Sequence, residues 1–66
     1  MIKYIGQRIR LEKGYNTKEL AKKAGVAQST ISKWENGIHL PDLDALDRVA
    51  VALDVAPWHL IAYKRK

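Results

Sequence analysis

The 66-residue sequence contains no cysteine, which excludes disulfides and thiolate metal sites. Stability must then come from helix packing, aided or not by self-association. Proline occurs twice and glycine four times in a chain that is 47% apolar, a composition of folded rather than disordered protein. The longest purely apolar run, Val49 to Leu53, is five residues, against about 20 for a membrane-spanning helix. The opening M-I-K-Y-I-G-Q-R has no apolar export core. No strand-like alternation, internal repeat or low-complexity segment is visible. These absences imply one soluble cytoplasmic domain over residues 1–66, with no membrane partner. A chain this short buries only roughly 60% of its unfolded surface.

What is present is charge, unevenly placed. Residues 1–33 carry eight Lys/Arg against Glu12 and Glu19, a balance of +6. Residues 34–63 carry Arg48 against Glu35, Asp42, Asp44, Asp47 and Asp54, a balance of −4, and Lys64, Arg65 and Lys66 add +3. A basic half suits a polyanion on that side, although solubility alone can account for a modest excess.

The chain reads as an all-α bundle of five short helices with one core. Ile2, Ile5 and Ile9 form a stripe that predicts a helix over 3–13, closed by Gly14; Gly6 inside it is unfavourable by about 1 kcal/mol against Ala. Asn16 and Glu19 have capping-box spacing and open a helix over 17–24, with Leu20, Ala21 and Ala24 inward and Gly25 as a left-handed stop. A third helix spans 28–36. Asp42 is the expected N-cap of a fourth over 42–53, with Leu43, Leu46, Ala50 and Leu53 inward. Pro57 opens a fifth over 57–63.

The outer face of the third helix is unusual. At about 100° per residue, Gln28, Ser29, Ser32, Lys33 and Asn36 share an arc roughly 140° wide. A helix that merely faces water favours Glu, Lys, Arg and Ala; this arc has no acidic residue and four uncharged hydrogen-bonders. Gly25-Val26-Ala27 is a short connection that sets two helices at a steep angle and leaves the second exposed. Such a helix fits the DNA major groove, where amides, hydroxyls and lysines match base-edge donors and acceptors.

The strings G-Y-N-T-K-E-L-A-K-K-A-G-V-A-Q-S-T-I-S-K-W-E-N-G and L-P-D-L-D-A-L-D-R-V-A-V-A-L-D-V resemble the phage-repressor helix-turn-helix family, the Cro/cI-like, Xre-type DNA-binding domain. The resemblance runs from about Ile5 to Ile61. It implies a five-helix lambda-repressor-like bundle and a sequence-specific transcriptional regulator of double-stranded DNA, read as a repressor. Gln28, Ser29 and Lys33 match base-reading positions, flanked by Thr30 and Ser32. Thr17 and Asn36 match phosphate-binding positions, and His39 is a further candidate. Arg10 and Glu35 match an ion pair tying the first helix to the third, with Arg10 also expected to help position phosphate. No cofactor or metal is implied. The implied partners are a palindromic operator and a second copy of the chain, a homodimer that DNA itself can assemble. An antitoxin-type autoregulator that also binds a toxin protein, and a protein-interaction adaptor on the same fold, remain as alternatives. Several features depart from the family: Ala27 replaces its usual Ser, Thr or Gly cap, Ile38-His39-Leu40 lacks the Lys or Arg of some relatives, Gly6 replaces an apolar residue, and Asp54 replaces a glycine.

Other residues favour structural roles. Trp34 lies on an apolar stripe and is expected in the core. Trp58, with Val55 and Pro57, fits either core or a dimer contact. Asp42 and Asp44 suit capping and the helix dipole better than paired-carboxylate catalysis. His39 and His59 lack metal-ligand spacing, and Ser29 and Ser32 lack a histidine base, so no enzyme is expected. Glu19 and Lys23 form an i,i+4 pair, and Lys22 and the final Lys64-Arg65-Lys66 read as solvated.

Overall fold

The computed structural model describes residues 1–65. The order is β1 (Ile2–Tyr4), α1 (Gly6–Glu12), α2 (Thr17–Ala24), α3 (Gln28–Glu35), α4 (Leu43–Leu53), a single 3₁₀ turn (Pro57–Leu60) and β2 (Ile61–Tyr63). The fully buried side chains Leu20, Ile31, Val49, Leu53 and Leu60 come from α2, α3, α4 and the 3₁₀ turn, and they meet in one core.

Local capping chemistry sets the middle of the chain. Asn16 Oδ1 accepts from the Glu19 amide at 2.7 Å while Glu19 Oε1 accepts from the Asn16 amide at 2.9 Å, the reciprocal capping box of α2. Gly25 ends α2 at φ 73°, a left-handed conformation that costs glycine nothing. Asp42 Oδ1 accepts from the Ala45 amide at 2.8 Å and starts α4. At the other end of α4, Asp54 takes the left-handed position itself, at φ 58°.

The ends of the chain differ from expectation. The first helix begins at Gly6 rather than Lys3, and the fifth shrinks to one 3₁₀ turn. Residues 2–4 and 61–63 instead form an antiparallel pair, Ile2 opposite Tyr63, Lys3 opposite Ala62 and Tyr4 opposite Ile61. Met1 and Lys64 exchange main-chain hydrogen bonds at 2.6 and 2.8 Å, and the Ile5 amide donates to Leu60 O at 2.7 Å. The supposed Ile2–Ile5–Ile9 core stripe therefore does not form: Ile2 and Ile5 are exposed, Ile9 is half-buried, and Tyr4 is the buried member of the segment. Gly6, the first residue of α1, makes room for the buried Tyr4 ring. The Tyr4 phenol lies directly over its Cα, where a Cβ would overlap the Tyr4 Oη and Cζ atoms. Leu43, expected inward, is 85% exposed because the first turn of α4 runs past the covered part of the bundle.

Gly6→Ala is expected to destabilise the fold by about 1–3 kcal/mol through overpacking against Tyr4. Equilibrium urea denaturation checks this; an unchanged midpoint would show that the phenol can move aside.

Candidate nucleic-acid interface

The α2–turn–α3 unit is built from both sides of each helix. Leu20, Ala21 and Ala24 of α2 and Ile31 and Trp34 of α3 are buried, which fixes the roll of both helices. That roll leaves Gln28, Ser29, Ser32, Lys33 and Asn36 exposed together. Thr30 sits off this arc and half-buried, lining a small hollow with Lys33, His39 and Asp42. α3 starts at Ala27 without a side-chain cap.

Two contacts shape the exposed face. Gln28 Nε2 donates to Thr17 Oγ1 at 3.0 Å, joining the first residue of α3 to the first residue of α2. The Gln28 carbonyl oxygen and second amide hydrogen remain available to a base edge. At the other end, Asn36 Nδ2 donates to Ser32 O at 2.9 Å, so its side chain closes α3 and presents only its oxygen outward. His39 is exposed in the following loop.

Beneath α3 lies a buried ion pair. Arg10 Nε and Nη2 donate to Glu35 Oε2 and Oε1 at 2.8 and 3.1 Å, a bidentate fork, and Nη1 donates to Tyr15 O at 2.8 Å. The Arg10 and Glu35 side chains are only 8% and 7% exposed. The hydrogen bond from Glu35 holds the guanidinium pKa above its ordinary value, against the opposing effect of burial. Arg10 Nε, Nη1 and Nη2 each have a partner inside the protein, so its guanidinium faces inward, away from the exposed face of α3. Tyr4 covers the pair. Its ring lies 5.6 Å from that of Trp34, and its Oη is buried without a hydrogen-bond partner. Burial, reinforced by the Glu35 charge and partly offset by Arg10, pushes its pKa up to about 12.

Other expectations are adjusted by the geometry. Lys23 does not pair with Glu19; its Nζ donates to Tyr15 Oη at 2.6 Å while Glu19 serves the α2 cap. Trp58 is 71% exposed, which removes the core alternative for it, whereas Val55 packs against the core and Pro57 is half-buried. Among the described residues no group of three His, Cys, Asp or Glu could hold a metal ion, and no helix is long and apolar enough to cross a membrane. The Thr17–Gln28 bond and the Tyr15 carbonyl are contacts that sequence reasoning missed. The only hint was that Thr17 and Gln28 each begin a helix on either side of a tight turn.

Residues 7–57 match the Helix-turn-helix family. The chain belongs to this family, in its Xre, Cro/cI-like branch. It is 44% identical over 66 residues to the HTH-type transcriptional regulator SinR of Bacillus subtilis, covering 94% of this chain and 60% of that relative. The chain thus spans less than two thirds of SinR. Among solved structures, a Bacteroides fragilis protein provisionally assigned to DNA binding superposes with a TM-score of 0.86 at 34% identity, covering 94% of this chain and all of that one. SinR in complex with DNA superposes with a TM-score of 0.72 at 46% identity, covering 79% of this chain and 89% of that one.

Two outcomes follow from the buried cluster. Glu35→Gln should destabilise by about 3–5 kcal/mol, because it strands a buried guanidinium; a calorimetric loss below 1 kcal/mol would contradict the pair's role. Tyr4 gives a pH signature. Its folded pKa, about 12, lies above the ordinary value of 10, so its contribution is complete below pH 10 and is lost as pH rises through about 12. Stability should fall across that window, and Tyr4→Phe should flatten the fall at little or no cost below pH 10, since the buried hydroxyl has no partner to lose.

Proposed function

We propose that this helix-turn-helix domain binds double-stranded DNA sequence-specifically and regulates transcription in the cytoplasm, as a repressor. The observation that carries the reading is the outward face of α3. It is exposed, free of acidic residues and made of Gln28, Ser29, Ser32, Lys33 and Asn36. Laid in the major groove, Gln28 offers the donor–acceptor pair that matches adenine, and Lys33 offers a donor to guanine O6 or N7, with Ser29 beside them. Thr17, Ser32, Asn36 and His39 fall around this reader, where phosphate contacts set register without choosing sequence. Thr30 is a weaker candidate because it is half-buried.

Thr17 serves two ends in this reading. Its hydroxyl holds the Gln28 amide at 3.0 Å, and the same oxygen has a hydrogen to donate to phosphate. Affinity from so few contacts calls for two copies on a palindrome, with half-sites about 34 Å apart. Trp58 and Pro57 are the surface through which they would meet, with Val55 supporting from the edge of the core.

Gln28→Ala should lose roughly 1–3 kcal/mol at one base pair and relax selectivity there. Thr17→Ala should weaken every site and also blunt selection at the Gln28 base. Trp58→Ala should weaken binding to a full palindrome while sparing an isolated half-site. Mobility shifts on a randomised duplex pool with a salt titration check all three, the log–log slope being near −0.9 per neutralised phosphate. A uniform loss on every sequence for Gln28→Ala, or no salt dependence in the parent chain, would contradict the reading.

A further inference from the structure

The β1–β2 pair leaves the outer main-chain edge of β1 open. Met1 and Lys64 exchange both hydrogen bonds, and the Ile5 amide donates to Leu60. In an antiparallel ladder bonded pairs alternate with non-bonded ones. The N–H and C=O groups of Ile2 and Tyr4 therefore point away from β2. On that side lies a groove of about 670 Å³, walled by Ile2, Tyr4 and Trp34 on one flank and Ile38 and Leu40 on the other. Ile2, Ile38 and Leu40 are all exposed. The polar side chains lining it are Lys3, His39 and Lys64, and no acidic residue does so. An open strand edge beside an apolar trough is the arrangement that accepts an added strand.

We propose that this groove docks an extended segment of a partner protein, alternating apolar and acidic residues, as a third strand against β1. The apolar residues would lie against Ile2, Ile38 and Leu40, and the carboxylates would face Lys3 and Lys64. The charge of the site selects this occupant over a second copy. Symmetric pairing through the same edge, with Ile2 opposite the copy's Tyr4, sets the two Lys3 side chains directly opposite each other, and like charges at that spacing repel. It also selects a peptide over nucleic acid: the walls are hydrocarbon, with few side-chain donors to follow a phosphate backbone. The proposal is independent of the base-reading assignment, since neither Gln28 nor Lys33 lines the groove.

The test is amide hydrogen exchange and chemical-shift mapping on the full chain. The probe is a capped seven-residue peptide alternating valine and glutamate, beside a counterpart with lysine in place of glutamate. The glutamate peptide should slow exchange at the Ile2 amide and shift Ile38 and Leu40, and the lysine peptide should bind at least about tenfold more weakly. Lys3→Glu, a change on the solvent side of β1, should reverse that preference while leaving the thermal melt of the free chain in place. Equal binding of both peptides, or shifts confined to other surfaces, would overturn the proposal. So would protection of Ile2 that grows with protein concentration alone, which would name a second copy as occupant. Protection of Ile2 by duplex DNA and not by the peptide would do the same for nucleic acid.

Discussion

The Arg10–Glu35 pair is the constraint around which this small fold is arranged. One guanidinium, buried under Tyr4, grips the last residue of α3 with two nitrogens and the carbonyl of Tyr15 with a third. Tyr15 lies just ahead of the α2 cap. Both helices of the candidate reader are thus referenced to a single side chain on α1. Such a pair adds little net stability over a well-packed apolar cluster, because desolvation offsets attraction. Its geometric effect is large: a planar fork tolerates little rotation of the carboxylate it holds. The roll of α3 decides which residues reach outward, so the contact that sets the roll acts on the exposed arc without touching it.

Lacking disulfides, the chain closes its core by joining its two ends. The three-residue strands bring Ile2–Tyr4 beside Ile61–Tyr63, and this places the Tyr4 ring over Gly6 and against Trp34. Leu60, fully buried in the 3₁₀ turn, anchors the returning strand. The same closure leaves an apolar trough between β1 and the loop after α3. Closure and trough share one cause, since among the described residues the sheet has two short strands and neither covers the other's outer edge.

What could be read from sequence was what local chemistry determines. Asn16 with Glu19, Gly25 and Asp42 act within a few residues of themselves, so α2, α3 and α4 were placed nearly to the residue. The polar arc of α3 was legible because a helix converts spacing directly into direction. The chain ends were not. Each strand is three residues long, too short for alternation to show, and its partner lies at the far end of the chain. Leu43, Ile2 and Ile5 were misread because periodicity identifies an apolar side chain but not whether anything covers it. Arg10 carried two expected roles, and only the placement of Glu35 and Tyr15 around it separates them. The Thr17–Gln28 bond depends on the angle between two helices, which no helical wheel contains.

In the proposed mode of binding, α3 meets DNA with the face its roll exposes. Chemical-shift mapping of the isotopically labelled chain against a palindromic duplex, at low and then raised ionic strength, tests it most directly. Shifts concentrated at Thr17, Gln28, Ser29, Lys33 and Asn36 are expected, fading as salt is added, with Arg10 and Glu35 little moved. Silence along α3, or a response centred on α4 and unaffected by salt, would contradict it.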